Sequence, residues 1–81
     1  MISPSFTDHV KRRMQKRHIT EDMIREVIEK PDRTNERPDG CTEYVALVQQ
    51  GDTLRRIEVV LDETTSPPSV VTAYELEEGR Q

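Results

Sequence analysis

Residues 8–18, DHVKRRMQKRH, gather Lys11, Arg12, Arg13, Lys16 and Arg17 between His9 and His18, the only two histidines of the chain. On a helix turning about 100° per residue, His9, Arg13 and Arg17 stand at i, i+4 and i+8. They form one row beside an apolar stripe of Val10 and Met14. Two guanidiniums can grip a phosphate bidentately, and an imidazole beside them can carry a proton near neutral pH. The row therefore has the composition of an anion site with a proton carrier. Lys11, Arg12, Gln15 and Lys16 fall on the solvated face. The plainer reading of the same row is structural. Arginine stems lie along apolar surface and their heads pair with carboxylates, for which Glu21, Glu26, Glu43 and Glu58 are available. His18 reads as a solvated residue of the turn that follows.

Other chemistries find little support. Cys41 is the single cysteine, so no disulfide can form within the chain and a reducing, cytoplasmic setting is expected. As a nucleophile it lacks an identifiable base. Histidines at 9 and 18 with one distant cysteine match no metal-ligand spacing, and no metal or cofactor is expected. The glycines at 40, 51 and 79 are turn or tail residues and form no phosphate-binding loop. No apolar run approaches the roughly 20 residues that span a bilayer. The start, MISPSFTDH, lacks the charged and apolar regions of a signal peptide. Membrane association is not expected.

The elements that must position the row follow from periodicity. Eighty-one residues suit one domain, with an ordered core over about 6–74 and a charged tail over 75–81. Thr7 is a candidate N-cap for a first helix running to about Arg17. Thr20 caps a second, with Ile19 and Ile24 as a hydrophobic staple and Met23, Ile24, Val27 and Ile28 on one face. Pro31 ends it. The period then changes to two. Residues 33–37 read as a polar edge strand, 42–48 and 53–61 as strands joined by the turn QQGD, and 69–74 as a last strand after the loop DETTSPPS. The expected fold is α+β: an N-terminal helix hairpin on one face of a four-stranded antiparallel sheet, in the order α-α-β-β-β-β.

Several motifs match a known family. FTDHVKRRMQKRHIT, EDMIREVIEKPDR and the closing VVTAYEL resemble the DUF4258 family, a domain of unknown function, over Phe6 to about Tyr74. The matching positions are Phe6, Thr7, His9, Arg13, Met14, Arg17, Ile19, Thr20, Pro31, Asp32, Val71, Thr72 and Tyr74. The glycine usual before Ile19 is replaced by His18. By fold the family is similar to the barnase, EndoU, colicin and RelE-like group of metal-independent ribonucleases and toxins. The KRHITEDMIREVIEKPD stretch is also similar to the helical unit of BrnT-type toxins. The resemblance implies that His9, Arg13 and Arg17 form the helical part of a site, with Thr72 and Tyr74 contributed by the sheet. His9, Tyr74 and Thr72 would then have catalytic roles, while Arg13 and Arg17 hold phosphate or RNA. Arg55 and Arg56 would extend that platform if they lie on the same surface.

Two functions fit. One is a binding module of RelE-like fold that docks a nucleic acid or a protein. The other is a metal-independent endoribonuclease, the toxin of a toxin–antitoxin pair, with RNA as substrate and an antitoxin as partner. The formal net charge of -4 runs against the usual basic character of RNA-binding chains. Arginine outnumbers lysine nine to three amid an excess of acids, a composition that suggests a high-GC or salt-adapted source. Screening should then relieve self-repulsion. The expected melting midpoint is higher in molar KCl than at low salt, and a flat or falling midpoint in thermal melts counts against it.

Overall fold

The computed structural model describes residues 4–76. Strand β1 (Ser5–Phe6) leads into helices α1 (Asp8–Arg17) and α2 (Glu21–Glu29). Strands β2 (Arg33–Glu36), β3 (Cys41–Gln50), β4 (Thr53–Asp62) and β5 (Ser69–Leu76) follow. The sheet has five strands in the order β1-β5-β4-β3-β2. The expected four-stranded antiparallel sheet is corrected in one respect: β1 adds to β5 in parallel, Ser5 opposite Ser69 and Phe6 opposite Val70. A two-residue strand has too little length to show a period. It forms because the Ser5 amide reaches the Pro68 carbonyl at 2.8 Å. The last strand also continues past Tyr74, where a tail was expected. Glu75 and Leu76 pair with Ile57 and Arg56 of β4, and residues 77–81 of the expected tail lie outside the described ones.

Both helices begin where their caps require. Thr7 Oγ1 accepts the Val10 amide at 3.2 Å, and Thr20 Oγ1 accepts the Met23 amide at 3.1 Å. These are two of the amides a helix start leaves without partners. Ile19 and Ile24 are both buried in one cluster, the staple that sets the angle between the helices. Val10 and Met14 of α1, with Met23, Ile24 and Val27 of α2, pack on Ala46, Val48, Ile57, Val59, Leu61, Val70 and Ala73 of the sheet. Ile28 is only half-buried at the margin. The core therefore lies between the helix pair and one sheet face. Among the described residues the other face carries no helix.

The turn between the helices has a specific backbone demand. His18 sits in the left-handed region at φ 57°. Its amide reaches the Gln15 carbonyl, and the Ile19 amide reaches the Met14 carbonyl at 2.9 Å. These are the two bonds of a Schellman close, with Ile19 and Met14 in the same buried cluster. A side chain in this conformation costs roughly 1–2 kcal/mol relative to the right-handed region, a cost glycine escapes. Gly40, at φ 90°, is constrained further. A Cβ there would come within 2.5 Å of Thr64 Cγ2.

His18→Gly should raise stability by about 0.5–1 kcal/mol, net of glycine's extra freedom when unfolded. Urea melts of the two proteins check it, and an equal or lower midpoint for His18→Gly contradicts it.

Candidate functional site

Helix α1 lies over β5 and presents one long side to solvent. A cleft of about 430 Å³ runs along that side, lined by His9, Arg12, Arg13, Lys16 and Arg17. The expected row of His9, Arg13 and Arg17 thus shares one surface. Arg12 and Lys16, expected on the solvated face, line it too. They form a second i, i+4 pair, a signal already present in the spacing.

Arg13 Nε donates to His9 Nε2 at 3.0 Å. The bond engages Nε2 of His9 and leaves the Nη groups of Arg13 available to an anion. Arg17 is anchored at one end: its Nη1 donates to the Ala73 carbonyl of β5 at 2.8 Å. This ties α1 to the rim of the sheet and satisfies a carbonyl near the strand's outer edge. Three of the four carboxylates considered as partners for the row go elsewhere, and Glu26 makes no side-chain bond among the described residues. Glu21 pairs with Arg25, Glu43 accepts from Asn35 and lies near Arg37, and Glu58 accepts from Tyr74. Among the described residues no carboxylate stands within ion-pair distance of Arg12, Arg13, Lys16 or Arg17.

The sheet residues of the expected site divide by strand alternation. Ala73 and Glu75 face the helices. Thr72 and Tyr74 face the opposite way, at register positions beside Val60 and Glu58. The structure does not bring Thr72 or Tyr74 to His9. The Tyr74 hydroxyl instead donates to Glu58 Oε2 at 2.8 Å, and this bond, followed by burial, raises the phenol's pKa. Arg55 and Arg56 part in the same manner. Arg56 stands on the helix-free side, opposite Leu47 and Leu76. Arg55 points to the helices, its side chain only 11% exposed. Its Nη2 reaches the Arg17 carbonyl at 2.9 Å and its Nη1 the His18 carbonyl at 2.7 Å. The same guanidinium meets Gln50 and pairs with Glu75 at 3.0 Å. Arg55 thus closes the C-terminus of α1, where carbonyls lack partners and positive charge suits the helix dipole.

The chain's other reactive side chains are held in the fold. Burial, followed by the nearby Asp39 carboxylate, raises the Cys41 thiol's pKa, which disfavours the nucleophilic thiolate. Tyr44 donates to Glu63 at 2.6 Å, and Thr42 donates to the same carboxylate at 2.7 Å. Burial together with that bond pushes the Tyr44 phenol up to about 12. Asp32 serves the sheet edge: its Oδ2 accepts the Leu47 amide at 3.2 Å, just past the end of the shorter β2. Among the described residues no group of three histidine, cysteine or acidic side chains could hold a metal ion. No helix among them is long and apolar enough to cross a membrane.

The fold and the matched residues can now be set beside known families. The model of the family described as Domain of unknown function (DUF4258) matches residues 6–75. The chain belongs to this family. No curated protein and no solved structure matches it. Within the DUF4258 span, the structure gives physical reasons for several matching positions. Thr7 and Thr20 cap the helices, Met14 and Ile19 close the turn, Arg17 holds the sheet rim and Asp32 covers the β3 edge. His18 occupies a left-handed position, a conformation that favours glycine. His9 and Arg13 serve no comparable purpose in packing: both are exposed, and their one bond is to each other.

Removing the closing cation should cost much more than removing a cleft cation. Arg55→Ala leaves two carbonyls and Glu75 without their charged donor, an expected loss of about 2–3 kcal/mol. Arg13→Ala should stay within about 0.5 kcal/mol of the parent. Urea unfolding of the two variants checks the contrast, and equal losses would contradict it.

Proposed function

We propose that this chain is a small binding module that docks RNA by its phosphate backbone along the exposed side of α1. The observation that carries this reading is a cleft lined by four cationic side chains that no described carboxylate neutralises. In a chain of net charge -4, such a surface is the local exception that an anionic partner would seek. Guanidiniums spaced along one helix suit a row of phosphates, and Lys16 adds a point charge beside them. The likeness to RelE-like and BrnT-type domains supports RNA as the partner class. An antitoxin or other acidic protein would compete for the same surface.

A titration with single-stranded RNA at several salt concentrations tests the reading. Each phosphate contact contributes about 0.7 to the slope of log affinity against log salt for a single strand. Arg12→Ala and Arg13→Ala should each weaken binding and flatten that slope by one such step, while Lys11→Ala should do less. Wild-type protein that fails to bind RNA at low salt overturns it.

A second reading, a metal-independent ribonuclease of a toxin–antitoxin pair, rests on the His9–Arg13 bond. It places an imidazole beside phosphate-binding cations, where a base for 2′-OH attack would stand once substrate phosphate draws Arg13 away from Nε2. The other expected catalytic groups, Thr72 and Tyr74, lie across the sheet, which is why binding is preferred. Total RNA incubated with the protein in EDTA, with and without ribosomes, separates the two. Cleavage that His9→Ala abolishes without loss of binding selects the enzyme.

A further inference from the structure

The helix-free face of the sheet holds a second concavity, of about 250 Å³, lined by Arg33, Thr34, Asn35, Glu43, Val45 and Glu58. Its side chains come from β2, β3 and β4. Register places Arg33 opposite Val45, Asn35 opposite Glu43, and Val45 opposite Glu58. Val45 is buried without belonging to the core cluster, so it supplies an apolar floor. Glu58 has one neighbour, and Glu43 has two: Asn35 and, at 3.7 Å from its Oε2, Arg37 Nη1. Tyr74 donates to Glu58 Oε2, and Asn35 donates to Glu43 Oε1 at 3.2 Å. Glu58 Oε1 is left without a described donor. Arg33, at the rim, makes no hydrogen bond or ion pair among the described residues. Acceptors in set positions and a cationic donor that no described residue engages therefore line one small space.

That pattern selects among planar ligands. Carboxylate acceptors need adjacent N–H donors, and a guanidinium needs acceptors beside them. Guanine presents N1–H and its amino group on one edge, and the O6 and N7 acceptors next to it. Adenine and cytosine place a ring nitrogen lone pair beside their amino group, which would meet a carboxylate with like charge. Uracil offers one N–H between two carbonyls. We infer that this concavity is a binding site for a guanine base, with Glu58 and Glu43 taking its N–H donors and Arg33 its carbonyl edge. The inference goes beyond phosphate binding on α1 and does not depend on it, because the two surfaces lie on opposite sides of the sheet.

Guanosine, which lacks phosphate, tests this face alone. The full chain, labelled with nitrogen-15, is titrated with guanosine, adenosine, cytidine and uridine. Guanosine should bind about tenfold or more tighter than the other three, shifting amides around Arg33, Glu43 and Glu58 and sparing those of α1. Glu58→Gln keeps the shape and an acceptor for Tyr74 but removes the charge. Arg33→Ala alters an exposed residue with no described partner. Each should weaken guanosine binding about tenfold, with melting curves confirming the fold. Guanosine bound no better than adenosine overturns the inference. So does undiminished binding by both variants. Read at the amides around Arg33, Glu43 and Glu58, a guanine-containing single-stranded oligoribonucleotide that binds more tightly than guanosine monophosphate and than a guanine-free strand of equal length assigns the site to RNA, and equal affinities assign it to the free nucleotide. Arg13→Ala distinguishes the two surfaces: it should weaken the oligoribonucleotide and leave guanosine binding intact.

Discussion

The guanidinium of Arg55 joins helix α1 to three strands of the sheet. It projects from β4, donates to the Arg17 and His18 carbonyls at the end of α1, donates to Gln50 at the end of β3 and pairs with Glu75 of β5. A helix terminus beneath a tight turn has carbonyls that solvent cannot fully serve. Filling that place with a fixed cation satisfies them and favours the helix dipole. It also sets where α1 ends over the sheet. Arg17 stands at that end, so its contact with the Ala73 carbonyl and the line of the basic cleft both follow from the same anchor. The cleft is a rigid-element site in this sense: its cations stand on a helix held by caps at one end and by Arg55 at the other.

The sheet separates two chemistries by the pleat. Neighbours in sequence end on opposite sides. Arg55 serves the helix layer while Arg56 lies across the sheet, and Ala73 enters the core while Thr72 and Tyr74 leave it. One face is consumed by packing against the helices, and its polar groups are structural. The other retains two hydrogen-bonded pairs, Asn35 with Glu43 and Tyr74 with Glu58, and the rim cation Arg33, over a small apolar base. A carboxylate in a central strand, such as Glu58, is an unusual resident of a sheet unless it meets a partner. Here Tyr74 supplies one of its bonds and the concavity leaves room for another.

The distribution of charge is as uneven as that of apolar surface. The acids outnumber the bases over the whole chain, yet they pair among Arg25, Arg37 and Arg55 and leave the cleft along α1 to cations. An acidic background repels polyanions at a distance and screens poorly at low ionic strength. Binding confined to one helical face would therefore be strongly salt-dependent and oriented, since no other described surface gathers cations to the same degree.

Much of the architecture was legible in local chemistry. Threonines at 7 and 20, the staple of Ile19 and Ile24, Pro31 and the change of period from helical to alternating set the two helices and four of the strands. These signals act within a few residues, so the chain reveals them without its fold. The row of His9, Arg13 and Arg17 was legible for the same reason, because a helix fixes which residues share a side. Three things were not. The parallel pairing of β1 with β5 joins residues at opposite ends of the chain and has no local period. The closing role of Arg55 depends on which strand passes under the turn. The parting of Tyr74 and Thr72 from His9 depends on which sheet face the helices cover. Alternation alone says that two faces exist, and only the packing of α1 and α2 on Ile57, Val59 and Ala73 decides which of them remains open.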